Sequence, residues 1–131
     1  MSDLTIAMDS AETLARVREV LQSLGLLEDS LSENMAPDPD AVGKLPSWVA
    51  RFGLARAHSS AWLFCETRPD VAADVTGQVV LHFPAGRYLV DAFDVSSASC
   101  VSRESASGAP LVLGLPFSRS AILLSIRHLP L

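Results

Sequence analysis

The chain has 131 residues and a mass of 14.0 kDa, the size of one domain or of one small domain with an appendage. Apolar residues make up 49% and charged residues 19%, a composition that excludes a disordered protein. The net charge of -5 and the lack of a Lys/Arg cluster argue against a nucleic-acid partner. No stretch approaches the roughly 18 uninterrupted apolar residues of a membrane span. The N-terminus has no basic-then-apolar run, so we expect a cytoplasmic protein without a membrane partner.

The first predicted element is a helix that begins near Asp9. Glu12 follows three residues later, a spacing typical of a capping box, in which each side chain accepts from the other's backbone N–H. Apolar residues then recur at helical spacing: Leu14, Val17, Val20, Leu21 and Leu24. Gly25 is expected to end the helix in a left-handed conformation. An isolated helix of this length is marginal in water, so it must dock on another element.

The segments on either side of the helix are less regular. Upstream, Leu4, Ile6 and Met8 alternate with other residues, which is typical of a short strand or an extended arm. Downstream, residues 26–47 are rich in proline and acidic residues and predict a connector over the surface, with Met35 as its anchor to a core. We therefore predict a unit at 1–47, made of the helix and the Pro-rich connector, followed by a second unit at 48–131.

The second unit shows the period of β-strands. Six short apolar segments follow one another, separated by Gly, Pro or Ser: AWLFCET, GQVVLHFP, PAGRYLVDAFDV, SCVSRES, PLVLGLP and AILLSIRHL. In the third segment, Tyr88, Val90 and Ala92 share one face. Such a series indicates an antiparallel sandwich or a small barrel. The predicted fold class is α+β, mainly an antiparallel β-sandwich with one N-terminal amphipathic helix.

The order of these segments resembles the C-terminal β-sandwich of bacterial TIM-barrel glycoside hydrolases, preceded by the last barrel helix and a Met-x-Pro connector. The residues that carry the resemblance are Met35–Pro37, Phe83–Tyr88, Val90, Phe93, Asp94, Gly108–Leu111 and Ile122–Leu124. The resemblance covers about residues 10 to 128 and lacks the catalytic barrel with its carboxylates. It therefore implies an accessory module rather than an enzyme, and no catalytic residue is transferred.

Several catalytic arrangements are disfavoured by the spacing itself. Asp91 and Asp94 lie three apart on one strand, so they point to opposite faces; we expect Asp94 to cap the following turn. Cys65 is expected to be a buried free thiol, and nothing brings Cys65 or Cys100 together with a histidine. A disulfide between the two cysteines is not expected in a reducing compartment. His58, His82 and His128 lack metal-ligand spacing, so we predict no metal and no cofactor.

The predicted ligand site combines Trp48, Arg103 and Glu104. The segment Ser102–Gly108 is the most polar part of the β unit, and we interpret it as a loop that either covers a ligand or is a solvated connection. Trp48, Trp62 and Tyr88 are either core residues or sugar-stacking residues, and packing is the preferred interpretation for Trp62 and Tyr88.

Three hypotheses for function follow. The first is a non-catalytic accessory module whose apolar face packs against a second copy, as a homo-oligomer, or against a catalytic-barrel partner. The second is a carbohydrate-binding module that uses Trp48 and the 102–108 segment. The third is a small β-barrel hydrolase or isomerase, which requires at least two of Asp91, His82, Arg103 and Cys100 to converge in one cavity.

Overall fold

The computed structural model describes residues 5–26, 35–70, 77–116 and 120–129. These ranges contain one α-helix, one 3-10 helix and ten strands. In chain order they are β1 Ile6–Ala7, α1 Ser10–Ser23, β2 Ala36–Pro37, the 3-10 helix Pro39–Ala41, β3 Val42–Lys44, β4 Val49–Ala57, β5 Ser60–Thr67, β6 Gly77–Leu81, β7 Arg87–Asp94, β8 Ser99–Ser107, β9 Leu111–Leu115 and β10 Ala121–Leu129. Neither helix has the length and apolarity needed to cross a membrane.

The strands of the described ranges form two sheets. The larger sheet has the order β1-β4-β5-β10-β7-β8, with β2 paired to the same strand β4. The smaller sheet has the order β3-β6-β9. Apart from the short parallel pair β1–β4, the pairings are antiparallel. The α+β, mainly antiparallel β fold predicted from the sequence is therefore confirmed, and it is consistent with a sandwich.

One hydrophobic core lies between the two sheets. Inward-facing residues of β7 and β6 follow the predicted alternation: Tyr88, Val90 and Ala92 are buried, as are Val79 and Leu81. Leu111, Leu113 and Leu115 of β9 also pack into this core from the inner face of the smaller sheet. Because strand side chains alternate between faces, these rows put apolar residues inside and polar residues outside.

The other face of the larger sheet is partly covered by α1, which makes a second core. Val17, Val20 and Leu21 of the helix pack with Ala55, Trp62, Phe64 and Leu123 of the sheet. Strands β5 and β10 therefore face a core on both sides, which explains why Ala61–Cys65 and Ala121–Leu124 are continuously buried. Met8 and Met35, on either side of the helix in sequence, are also buried in this second core.

The ends of α1 are specified locally. The side chain of Asp9 accepts a hydrogen bond from the backbone N–H of Glu12 at 2.8 Å, which is half of the predicted capping box. The Glu12 carboxylate instead pairs with Arg51 of β4 and so ties the first helical turn to the sheet. At the other end, Gly25 has φ +73°, and the N–H of Leu26 donates to the carbonyl oxygen of Leu21. This is the pattern of a Schellman cap.

Three sequence predictions need correction or extension. Strand β4 was not among the six predicted strands, because Gly53 and a bulge between Val49 and Arg51 interrupt its alternation. The described part of the Pro-rich segment is not merely a surface connector, since β2 joins the larger sheet and β3 joins the smaller one. Residues 102–107 are not a loop, because β8 extends through Ser107. The division into units at 1–47 and 48–131 stays a prediction, and Leu4 lies outside the described residues.

Candidate functional site

The predicted ligand residues lie near one cavity, which we call the edge cavity, but they do not share its surface. Arg103 and Glu104 of β8 line this cavity of about 400 Å³ together with Gly77 of β6. Trp48 is only 6% exposed and lies behind Gly77, with Nε1 3.3 Å from the position of a Cβ built on that glycine. A ligand in the edge cavity would therefore meet Gly77 rather than the indole face. The binding role of the three residues stays a prediction.

Asp91 and Arg103 form a cross-strand ion pair on the outer face of the larger sheet. Nε of Arg103 donates to Oδ1 of Asp91 at 2.6 Å, and Nη2 donates to Oδ2 at 3.2 Å. The hydrogen bond to Asp91, and then its negative charge, raise the pKa of Arg103 above its ordinary value. Cys100 is exposed on the same strand as Arg103, whereas His82 follows β6 in the smaller sheet, beside Gly43. Asp91 and Arg103, two of the four residues of the hydrolase or isomerase hypothesis, are therefore in contact, but they lie on an open surface.

The outer face around this pair is partly apolar. Leu26, Leu89 and Phe93 line a groove of about 190 Å³ together with Asp91. These four residues and Arg103 are called the outer patch below. Among the described elements, α1 packs mainly on β2, β4 and β5 and also contacts Leu123 of β10, so the part of the face formed by β7 and β8 lies beyond its main contacts.

The remaining sequence candidates have structural roles. Cys65 is a buried free thiol, as predicted, and burial raises its pKa well above the usual range. Asp94 accepts hydrogen bonds from the N–H and hydroxyl groups of Ser96 and from the hydroxyl of Ser97, so it caps the turn as predicted. Within the described ranges, no three His, Cys, Asp or Glu side chains come together as a metal site.

A second cavity, of about 300 Å³, opens at one end of the sandwich, and we call it the mouth cavity. At this end the inward-facing rows change from aliphatic to polar residues. Leu54 of β4 is followed two positions later by Arg56, and Ile126 of β10 is followed by His128. Tyr88, which is opposite His128 in the strand register, begins the inward row of β7. His58 and Ser59, in the turn between β4 and β5, complete the polar rim.

The side chains of the mouth cavity hold one another in a continuous stack. The guanidinium carbon of Arg56 lies 4.6 Å from the centre of the Phe83 ring, and Nη1 donates to Oδ2 of Asp38 at 2.9 Å. The Phe83 and Tyr88 rings are 5.8 Å apart between centroids, and the Tyr88 and His128 rings are 5.0 Å apart. The hydroxyl of Tyr88 donates to the carbonyl oxygen of Pro84 at 2.7 Å, which fixes the turn beneath it.

Close packing also fixes His128. Its Nε2 would lie 2.5 Å from a Cβ built on Gly86, so the ring occupies space that only glycine leaves open there. Its backbone N–H donates to the carbonyl oxygen of Ser59 at 2.8 Å, which joins β10 to the turn that carries His58. The result is a cavity with a positioned cation, two imidazole rings and an apolar wall.

The mouth cavity is not evident from the sequence, because its residues come from separate strands. One signal was present: Arg56 and His128 each take an inward position at the end of an otherwise apolar row. A few polar groups that converge at the end of an apolar core are typical of small-molecule pockets.

Comparisons with known proteins give a likeness at the level of the fold. No family model matches the chain, and no curated protein matches it. A solved structure described as "Glycoside hydrolase" aligns with 84% of this chain and 24% of its own chain, with a TM-score of 0.53 and 12% sequence identity. The chain thus spans about a quarter of the hydrolase it resembles. This part of the chain has a fold similar to a portion of a glycoside hydrolase.

Proposed function

We propose that the chain is a non-catalytic accessory module of glycoside-hydrolase type that associates with a second copy of itself through the outer patch. The fold-level likeness to a quarter of a glycoside hydrolase chain supports the accessory role. The sequence resemblance, which lacks a catalytic barrel with its carboxylates, also supports a role in packing rather than in catalysis.

The observation that carries the association is the uneven cover of the larger sheet. Among the described elements, α1 covers the β4–β5 side, and the β7–β8 side carries the outer patch. Leu26 is 39% exposed, and Val101 in the adjoining bulge of β8 is 48% exposed. Exposed apolar groups clustered on one face commonly mark a protein interface. Asp91 and Arg103 neutralise each other within the patch, whereas Arg127 of the same groove is an exposed cation that must lie beside the contact when two copies meet.

Light scattering during size-exclusion chromatography, over a series of protein concentrations, tests this proposal. We expect a mass that rises from 14.0 kDa toward twice that value as the concentration increases. Leu26→Glu and Val101→Glu should each shift the equilibrium to the monomer, because a buried unpaired carboxylate is costly.

A matched control is available on the other side of the sandwich. Val112 of β9 is 46% exposed, but it lies on the outer face of the smaller sheet. Val112→Glu should leave the association unchanged. A monomer at every concentration, or equal losses in all three variants, would contradict association through the outer patch.

A second candidate function is carbohydrate binding in the edge cavity, which has the volume of a small-ligand site and contains the predicted residues Arg103 and Glu104. Calorimetric titration with neutral oligosaccharides tests it. If the heat of binding is lost in Glu104→Gln and retained in Val112→Glu, the result supports this function. If the parent protein gives no heat of binding, carbohydrate binding is excluded.

A further inference from the structure

We propose that the mouth cavity is a binding site for a small oxyanion, a phosphate or carboxylate group carried on a compact carbon skeleton. The site is distinct from the outer patch and does not depend on the association proposed above. Its volume of about 300 Å³ is at the lower end of the range of small-molecule sites.

The lining of the mouth cavity carries cationic and hydrogen-bond-donating groups. The described residues that line the mouth cavity include Arg56 and two histidines, and none of them is acidic. The hydroxyl groups of Ser59 and Ser60 add further hydrogen-bond donors at the rim. The lining therefore offers donors to an anion, and the Asp38 carboxylate that pairs with Arg56 lies outside the lining.

Arg56 is held in position before any ligand binds. Asp38 holds one nitrogen of the guanidinium group, and the Phe83 ring supports its plane. The other guanidinium nitrogens carry further donors in a fixed fork, which is the geometry that carboxylates and phosphates accept. Because the group is already held in place, a ligand loses less free energy in ordering it.

The mouth cavity also has an apolar lining. Phe83, Pro84 and Ala85 contribute to it, and the Phe83 ring lies against the guanidinium group of Arg56. A ligand therefore finds hydrogen-bond donors and apolar surface next to one another. This lining suits an anionic group attached to a small carbon skeleton better than a free inorganic ion.

Titrations followed by two-dimensional NMR of the histidine rings test the proposal. The probes are inorganic phosphate, acetate, glucose 6-phosphate, glucuronate and glucose. We expect saturable shifts of His58 and His128 with the anions and none with glucose. The comparison of phosphate with acetate, and of glucose 6-phosphate with glucuronate, distinguishes a phosphate ligand from a carboxylate ligand. No saturable shift with any anion, or an equal response to glucose, would overturn the proposal.

Variants locate the binding. Arg56→Gln should weaken anion binding by about tenfold or more, the effect of losing one charge-assisted hydrogen bond. Arg127→Gln is the matched control, because Arg127 is an exposed cation of β10 in the groove of the outer patch, outside the mouth cavity. If the two variants lose the same affinity for the anion, binding depends on the overall surface charge and not on a specific site, and the proposal is overturned.

A second pair of variants keeps the test valid if Arg56→Gln does not fold. His58 is exposed at a turn with φ +52°, a conformation that asparagine adopts readily, so His58→Asn should fold. It should weaken anion binding, whereas His82→Asn, an exposed histidine outside the cavity, should not. Unchanged binding in His58→Asn would overturn the assignment of the histidine pair.

Discussion

Thr13 of α1 lies directly over Gly53 of β4. A Cβ built on Gly53 would come within 2.8 Å of Thr13 Oγ1 and 2.9 Å of its Cγ2. The glycine therefore sets how closely the helix approaches the sheet, and both residues are buried in the contact.

This contact predicts the effect of a single methyl group. Gly53→Ala should lower the free energy of unfolding by about 1–3 kcal/mol, the usual cost of overpacking a core. Thr13→Ala removes both close atoms, so the double variant should lose less than the sum of the two single losses. Urea unfolding of the four proteins measures this coupling. Strictly additive losses would contradict the proposed clash.

The two glycines Gly25 and Gly114 should respond differently to alanine. Both have open space around a built Cβ, but only Gly25 has a left-handed φ, of +73°. Gly25→Ala should therefore cost about 1 kcal/mol through backbone strain alone. Gly114→Ala should be neutral or slightly stabilising. Thermal or urea unfolding of the two variants checks the difference, and equal effects would argue against the Schellman cap.

Leu123 of β10 tests the second core. It is fully buried between the larger sheet and α1, so Leu123→Ala should lower the free energy of unfolding by about 2–5 kcal/mol. Val112→Ala, at an exposed position of β9, should change it by no more than about 0.5 kcal/mol. Urea unfolding compares the two, and a small loss in Leu123→Ala would show that the helix does not pack there.

The two cysteines should differ in reactivity. Burial raises the pKa of Cys65, so its thiol stays protonated and inaccessible across the ordinary pH range, whereas Cys100 is exposed. A thiol reagent should therefore label one cysteine in the native protein and two after unfolding. Peptide mapping should place the native label on Cys100. Rapid native labelling of Cys65 would contradict its position in the core.

Much of the fold could be predicted because it depends on short-range patterns. The alternation of Tyr88, Val90 and Ala92, and the cap at Asp9, are readable from neighbouring residues alone. Strand β4 was missed because Gly53, which the close approach of Thr13 requires, resembles a strand breaker in the sequence. Strand prediction from a local pattern therefore fails where a residue type is required by a contact with a residue far away in the sequence.

The mouth cavity could not be predicted for the same reason. Arg56, Tyr88 and His128 meet because β10 lies between β5 and β7, and strand order of this kind involves contacts between residues far apart in the chain. The sequence predicts an exposed apolar face only in general terms. Which part of the larger sheet stays exposed depends on where α1 packs, and the sequence of α1 alone does not specify that position.

The position of β10 has a consequence for biosynthesis. Among the described strands it is made after all the others, yet it pairs with both β5 and β7 and so joins the two halves of the larger sheet. Until β10 leaves the ribosome, the β4–β5 and β7–β8 hairpins have unpaired edges and no strand to connect them. Folding of this sheet must therefore follow translation through β10, and nascent chains should need protection from aggregation until then.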